Sequence, residues 1–188
     1  MTFRKLILAS AVAAVIAVPA TAVADSQLST GGTGTTAQAS LDFRITMAEF
    51  VYFRVGTDVN GTVDRVDFDM TGLSAGDGNS VNATGGNGDG VDGILTVELR
   101  SNASGVQITA GTASANLVGL TATNLLPFDD ITASDGGNIA VPDFGATVNI
   151  PGAGPYDLND NWTYTYDNTS VYAPDQYNGR VTYTVTTL

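Results

Sequence analysis

Residues 161–188, NWTYTYDNTSVYAPDQYNGRVTYTVTTL, contain the two clearest strand patterns in the chain. The first run alternates aromatic residues with threonines: Trp162, Thr163, Tyr164, Thr165 and Tyr166. The second alternates valine or tyrosine with threonine: Val181, Thr182, Tyr183, Thr184, Val185 and Thr186. Such period-two alternation is typical of strands with one buried face. Because two strands cannot bury an apolar face alone, the upstream chain is predicted to supply the opposing surface.

The first residues have the layout of an export signal. Arg4 and Lys5 form a positive start, residues 6–18 are apolar, and Ala22-Val23-Ala24 is a small-x-small cleavage motif. A retained membrane anchor is the alternative, but the apolar run is shorter than the roughly 18 residues that a spanning helix needs. The sequence therefore predicts that residues 1–24 are a signal peptide and that the mature protein is exported.

The composition of the predicted mature chain excludes several kinds of chemistry. Removing residues 1–24 from the 188-residue chain leaves 164 residues, enough for one domain with a sizeable core. The loss of Arg4 and Lys5 changes the formal net charge from −12 to −14. No lysine, histidine or cysteine remains, which excludes disulfides, zinc–thiolate sites, Ser-His nucleophile systems and lysine Schiff bases. The negative charge argues against nucleic acids and anionic membranes, and leaves proteins, neutral glycans and divalent cations as partners.

The predicted mature chain changes character at residue 41. Residues 25–40, DSQLSTGGTGTTAQAS, are a polar tract that predicts a flexible leader. Residues 41–56 then place apolar side chains at odd positions, which predicts two consecutive strands or one strand bent near Ala48 and Glu49. The second half of this stretch is apolar on both faces, which indicates a central strand covered on both sides, or an interface.

Further strand patterns follow, separated by turns rich in Gly, Asn and Pro. Residues 94–99 and 106–110 flank a five-residue turn, 101–105, and predict a hairpin. Further strands are predicted at residues 63–70, 139–141 and 147–150. With roughly nine to ten strands and no amphipathic helix, the sequence predicts an all-β fold, an antiparallel Ig-like β-sandwich that spans residues 41–188 as one domain.

The Gly/Asn/Asp-rich segment 74–93 is a candidate Ca²⁺ site, because Ca²⁺ binds several carboxylate and carbonyl oxygens. The candidate ligands are Asp77, Asn87, Asp89 and Asp92. The spacing of an EF-hand is not met, and the Gly-Gly-x-Gly-x-Asp repeat is missed by one position. A solvated loop and a Ca²⁺ site both remain open, and no other cofactor is predicted.

The remaining polar and aromatic residues form no catalytic pattern. Glu49 and Glu98 are the only glutamates, both lie in strand-like runs, and any two loop aspartates could be chosen as a glycosidase pair. We therefore expect no enzymatic activity and assign no catalytic residue. The aromatic row at 162, 164 and 166 could stack on a sugar, but its alternation with threonine favours a core face. The arginines predict cross-strand ion pairs.

The last strand also carries a resemblance. Residues 177–185, YNGRVTYTV, resemble the Tyr-x-Gly-x-Val-x-Tyr/Val-x-Val ending of secreted bacterial β-sandwich proteins, among them fimbrial (pilin-like) subunits and spore-coat-U-like surface proteins. The resemblance implies an Ig-like sandwich and, in pilins, assembly by inserting an N-terminal strand into the next subunit. Here the inserted residues would be Leu41, Phe43, Ile45 and Met47. The cysteine pair of many pilins is absent.

Together these features predict an exported, non-catalytic structural protein of the bacterial cell surface, extracellular space or periplasm. Its most specific form is a fimbrial-like, adhesion-related subunit whose partners are other subunits or copies of itself. The alternative is an extracellular glycan- or Ca²⁺-dependent binding module. Neither interpretation includes nucleic acid, or a membrane span after removal of the signal peptide.

Overall fold

The computed structural model describes residues 27–59 and 61–188. The predicted signal peptide lies outside the described residues. The chain divides into two units, one that ends at Met47 and one that spans Ala48–Leu188. Residues 27–47 contain no strand or helix, whereas residues 48–188 contain every strand of the described chain.

Thirteen strands and two short 3-10 helices make up the second unit. The strands are β1 Val51–Val55, β2 Arg65–Asp67, β3 Ser80–Asn82, β4 Gly85–Asn87, β5 Ile94–Ser101, β6 Val106–Thr112, β7 Asn116–Gly119, β8 Leu125–Pro127, β9 Ile131–Ser134, β10 Thr147–Asn149, β11 Tyr156–Asp167, β12 Tyr177–Asn178 and β13 Val181–Thr187. The 3-10 helices are Gly88–Asp92 and Phe128–Asp130. The number of strands exceeds the roughly nine to ten expected. Several strands are only two to four residues long, and their Gly- and Asn-containing sequences are more typical of loops.

The strands form antiparallel sheets. The first sheet has the order β1-β5-β11-β3, with β9 also paired to β11, and the second has the order β10-β6-β13. Two small sheets, β12-β7-β8 and β2-β4, complete the unit. Side chains of the first and second sheets share one apolar core, which confirms the predicted all-β, sandwich-like fold.

Trp162 on β11 lies at the centre of this core. Its side chain is fully buried, its ring centroid lies 4.9 Å from that of Tyr183, and its indole Nε1 donates to the carbonyl of Ile139 at 2.8 Å. Tyr164 and Tyr166 are also buried. The core interpretation of the aromatic row is therefore confirmed, and the row is not a surface on which a sugar could stack.

The predicted hairpin at residues 94–110 is wrong. β5 pairs with β1 and β11, whereas β6 pairs with β10 and β13, so the two runs lie in different sheets. The apolar residues of β5 and β6 face each other across the core rather than along a shared edge. The turn between them has its own buried contact, since Ser101 Oγ accepts from the backbone N–H of Ala103 at 3.1 Å.

The prediction for residues 41–56 is correct only in its second half. Residues 51–55 form β1, but residues 41–50 form no strand and pair with none of the described strands. β1 is also an edge strand and not a central one, because β5 is its only partner in the described chain. Leu41, Phe43, Ile45 and Met47 are between 63% and 84% exposed. An alternating sequence alone does not form a strand, since a strand needs a partner for its backbone hydrogen bonds.

Three smaller predictions have mixed outcomes. The segment 147–150 does contain a strand, β10, but 139–141 does not. Within 63–70 only β2 is a strand. The segment 74–93 is not wholly a loop, because it contains β3, β4 and a 3-10 helix. No helix in residues 27–59 or 61–188 is long and apolar enough to cross a membrane.

Candidate assembly surface

β13 is an edge strand whose outer side is free of backbone partners among the described residues. It pairs only with β6, through the register Thr182 to Gly111 and Thr184 to Thr109. Its side chains alternate, with the threonines 182, 184 and 186 exposed and the residues between them half-buried. The outer side of β13 is therefore a sheet edge that offers unpaired N–H and C=O groups.

The hydrogen bonds of β6 show which residues of β13 offer these groups. The backbone N–H and C=O of Ala110 both bond to the 145–146 turn, and the carbonyl of Val106 accepts from Ile150, so the even-numbered residues of β6 point towards β10. The odd-numbered residues therefore point towards β13 and bond to its even-numbered threonines. It follows that the backbone groups of Val181, Tyr183, Val185 and Thr187 point outwards at the free edge.

β1 provides a second free edge on the same flank. β1 contacts β13 across the two sheets. Because the N–H of Gly56 bonds to the carbonyl of Thr96, the backbone groups of Phe53 and Val55 point away from β5. Phe53 lies 6.2 Å from Trp162 between ring centroids, so this flank leads directly into the core. β1 and β13 therefore place two free sheet edges on one flank of the sandwich.

The two edges differ in how well they are protected against strand addition. Proteins usually block an edge with charged side chains, prolines, bulges or very short strands. β13 has seven residues and carries no charge, proline or glycine. β1 has five residues and carries Arg54, which bonds to Glu98 Oε2 on β5. β13 is therefore the better template for an added strand.

Residues 41–47 have the side-chain pattern of a strand that could be added. Their odd positions are the exposed apolar residues described above, and their even positions are Asp42, Arg44 and Thr46. Directly after them, Asn102 fixes the chain: its Nδ2 donates to the carbonyl of Ala48 and its Oδ1 accepts from the N–H of Phe50, both at 2.8 Å. The four predicted assembly residues thus lie just before an anchored point of the second unit.

The predicted Ca²⁺ ligands do not share one set of contacts. Asp77 Oδ1 accepts from Asn79 and from Asn168, whereas Asn87 Oδ1 accepts from the backbone of Arg65. Asp89 and Asp92 lie on the first 3-10 helix. Within residues 27–59 and 61–188, no three acidic side chains are grouped as a metal site would need. Asp77 lines an open cleft of about 500 Å³ that contains none of the other three.

Several aspartates instead hold loops in place, a role that the sequence did not reveal. Asp160 Oδ2 accepts from the backbone N–H groups of Asn138 and Ile139, at 2.9 and 2.7 Å. Asp64 accepts from the N–H and the hydroxyl of Thr57, both at 2.8 Å. Burial by itself raises the pKa of each carboxyl group, but the hydrogen bonds outweigh it and lower both pKa values. These carboxylates therefore accept hydrogen bonds from backbone N–H groups that do not bond to a neighbouring strand.

Asn168 is a second residue whose role the sequence did not reveal. Its side chain is 1% exposed; Oδ1 accepts from Gly76 N–H at 2.8 Å, and Nδ2 donates to the Ser74 carbonyl at 2.7 Å. It stands in an Asn-x-Ser sequon like those at exposed positions, so local sequence gives no sign of its burial. Its position directly after β11 is what brings it against the 74–78 turn.

Two arginines form the predicted cross-strand ion pairs, on the outer face of the first sheet, whereas Arg65 pairs with Asp67 on its own strand. Arg54 on β1 lies 3.2 Å from Glu98 on β5, and Arg100 on β5 lies 3.3 Å from Asp157 on β11. Arg100 also pairs with Glu98. This row ties β1, β5 and β11 together across the face.

Neither known family models nor characterised sequences give a relative of this chain. No known protein-family model matches the chain, and no characterised protein matches it at a significant level of sequence similarity.

Proposed function

We propose that this protein is an exported, non-catalytic structural subunit that assembles by β-strand pairing, in which residues 41–47 of one copy add to the free edge of β13 in the next. The observation that carries the proposal is an alternating apolar segment, exposed and unpaired among the described residues, in a chain whose sandwich has an unprotected edge of equal length. Burial of such apolar surface is the main driving force for protein association.

The side-chain patterns of the two strands are complementary. β13 packs Tyr183 and Val185 against the core and directs threonines 182, 184 and 186 towards solvent, and Val181 lies on the same side as Tyr183. An added strand with Phe43 and Ile45 on the inner side would continue both faces of the second sheet, since Asp42, Arg44 and Thr46 would then face solvent. The inner residues of β13 are only half-buried, so an added strand would cover them.

Strand addition would combine apolar burial with backbone hydrogen bonds. Burying a side chain of the size of Phe, Ile, Leu or Met contributes roughly 1.5–3 kcal/mol each. Ordering the seven-residue segment costs conformational entropy, which apolar burial and backbone hydrogen bonds would offset together. Strand pairing supplies these bonds, which is why an edge is a better acceptor than a flat apolar patch.

The test compares two neighbouring substitutions in the chain that begins at Asp25. Ile45→Asp places a carboxylate on the inner side of the added strand and should abolish assembly, as measured by light scattering and negative-stain microscopy. Thr46→Asp introduces the same charge on the solvent side and should leave assembly intact. Equal assembly of both variants, or a wild-type chain that never exceeds a dimer at high concentration, would contradict the proposal.

A further inference from the structure

We propose that β13 pairs with β13 of a second copy, in an antiparallel arrangement about a two-fold axis, whenever no donated strand occupies its edge. The inference extends the proposed function, because the second copy and residues 41–47 compete for the same edge. The pairing itself needs only β13, so it does not depend on strand donation being correct.

The outward-pointing backbone groups select the register of this pairing. Bonded antiparallel pairs must join residues whose N–H and C=O groups both point to the shared edge, and on β13 these are Val181, Tyr183, Val185 and Thr187. With the axis at Thr184, Tyr183 meets Val185 and Val181 meets Thr187. All four outward residues are then used on both copies, whereas an axis at Tyr183 leaves Thr187 without a partner.

The side chains of β13 are compatible with their own two-fold copies. In the Thr184 register, threonines 182 and 186 meet on the outer face, while Tyr183 and Val185 meet on the core side. Cross-strand pairs of threonine, and of aromatic with β-branched residues, are favourable in antiparallel sheets. The two second sheets would join into one six-stranded sheet, in the order β10-β6-β13-β13-β6-β10.

Charge does not oppose a second copy at this edge. The predicted mature chain carries a formal net charge of −14, so two copies repel each other over most of their surfaces. β13 has no ionisable side chain except Tyr183, whose hydroxyl lies 2.9 Å from that of Tyr164. The pKa of Tyr183 is raised by burial to about 12, so the strand is uncharged at neutral pH. An uncharged, unprotected edge is where two copies of an acidic protein can approach most closely.

The experiment uses Ile45→Asp as the background, because this variant disables strand donation while keeping the full mature chain. Sedimentation equilibrium of this variant should show a monomer–dimer equilibrium. Thr184 is exposed and lies on the axis, opposite its own copy, so Thr184→Lys or Thr184→Asp puts like charges together. Each should raise the dimer dissociation constant by about tenfold or more. An equimolar mixture of the Lys and Asp variants should restore the dimer, since opposite charges then meet.

The control is Thr84→Lys, an exposed threonine on the connection between β3 and β4, which should leave the dimer unchanged. Self-pairing is overturned if the Ile45→Asp variant is monomeric at every concentration, or if Thr184→Lys, Thr184→Asp and their mixture dimerise equally. If the wild-type chain forms polymers that Thr184→Lys does not affect, while the Ile45→Asp variant stays monomeric, strand donation stands and self-pairing fails. If substitutions at Thr184 weaken the dimer but the wild-type chain never forms polymers, self-pairing stands and strand donation fails.

Discussion

Asn168 is the residue that fixes the Gly-rich connection before β3. Its amide makes hydrogen bonds with Gly76, Ser74 and Asp77, and its own carbonyl accepts from Gly78 at 2.8 Å. A segment of glycine, serine and aspartate cannot hold itself by apolar packing, so a buried amide supplies the partners that its backbone needs. A buried amide of this kind contributes strongly to stability, because its removal leaves buried N–H and C=O groups without hydrogen-bond partners.

The first prediction concerns this amide. Asn168→Ala should lower the free energy of unfolding by about 2–3 kcal/mol, because the N–H of Gly76 and the carbonyl of Ser74 lose buried partners. Urea denaturation followed by tryptophan fluorescence measures this, since Trp162 is the single tryptophan. Asn82→Ala, at an exposed sequon, is the control and should change the free energy by less than about 0.5 kcal/mol. Equal effects of the two substitutions would show that the amide is not structurally important.

At the scale of elements, β11 and β13 are joined across the core although they belong to different sheets. The hydroxyl groups of Tyr164 and Tyr183 lie 2.9 Å apart, and the Tyr183 ring packs edge-on against Trp162. Burial is the main cause that raises the pKa of both tyrosines, for Tyr183 to about 12. Because the phenolate form is disfavoured in the folded state, ionisation of this pair is coupled to unfolding.

The pH dependence of this pair has a definite sign. A raised folded-state pKa contributes stability that is fully present below the unfolded value of 10.0 and is lost as pH rises from 10.0 through about 12. The urea midpoint should therefore fall steeply in that interval. In the double variant Tyr164→Phe, Tyr183→Phe the fall should be shallower, with little change at neutral pH because both partners of the bond are removed. An unchanged alkaline slope would refute the coupling.

Across the second unit, several acidic side chains hold connections between strands. Asp64, Asp160 and Asp175 lie in different parts of the second unit, and each accepts backbone N–H groups from a nearby turn. Hydrogen bonds from Thr121 are the main cause that lowers the pKa of Asp175. A sandwich without disulfides that is joined by long polar connections can use carboxylates as anchors for its loops.

The acid side of the stability profile should follow from these anchors. Lowered folded-state pKa values contribute stability that is present above the unfolded value of 3.8 and is lost as pH falls through the folded values. Thermal unfolding should show a plateau above about pH 5 and a decline below 3.8. The triple variant Asp64→Asn, Asp160→Asn, Asp175→Asn should be less stable on the plateau and decline less in acid. Parallel profiles for the two proteins would contradict the anchor role.

Alternation of apolar and polar residues in the sequence determined the all-β class, the inner faces of the strands and the burial of Trp162, Tyr164 and Tyr166. These features are local, because the period of two fixes which side chains share a face whatever strand lies alongside. The sequence also predicted that arginines would form cross-strand ion pairs, but not which acidic residues would be their partners.

Which strands are neighbours depends on contacts between distant parts of the folded chain. β5 and β6 show the same alternation whether they pair along an edge or face each other across a core, and they do the latter. The sequence did not reveal three further features for the same reason: the burial of Asn168, the hydrogen-bond partners of Asp64 and Asp160, and the free edge of β13. Backbone hydrogen bonds are nearly independent of side-chain identity, so the sequence marks which face of a strand is buried but not which strand occupies each edge.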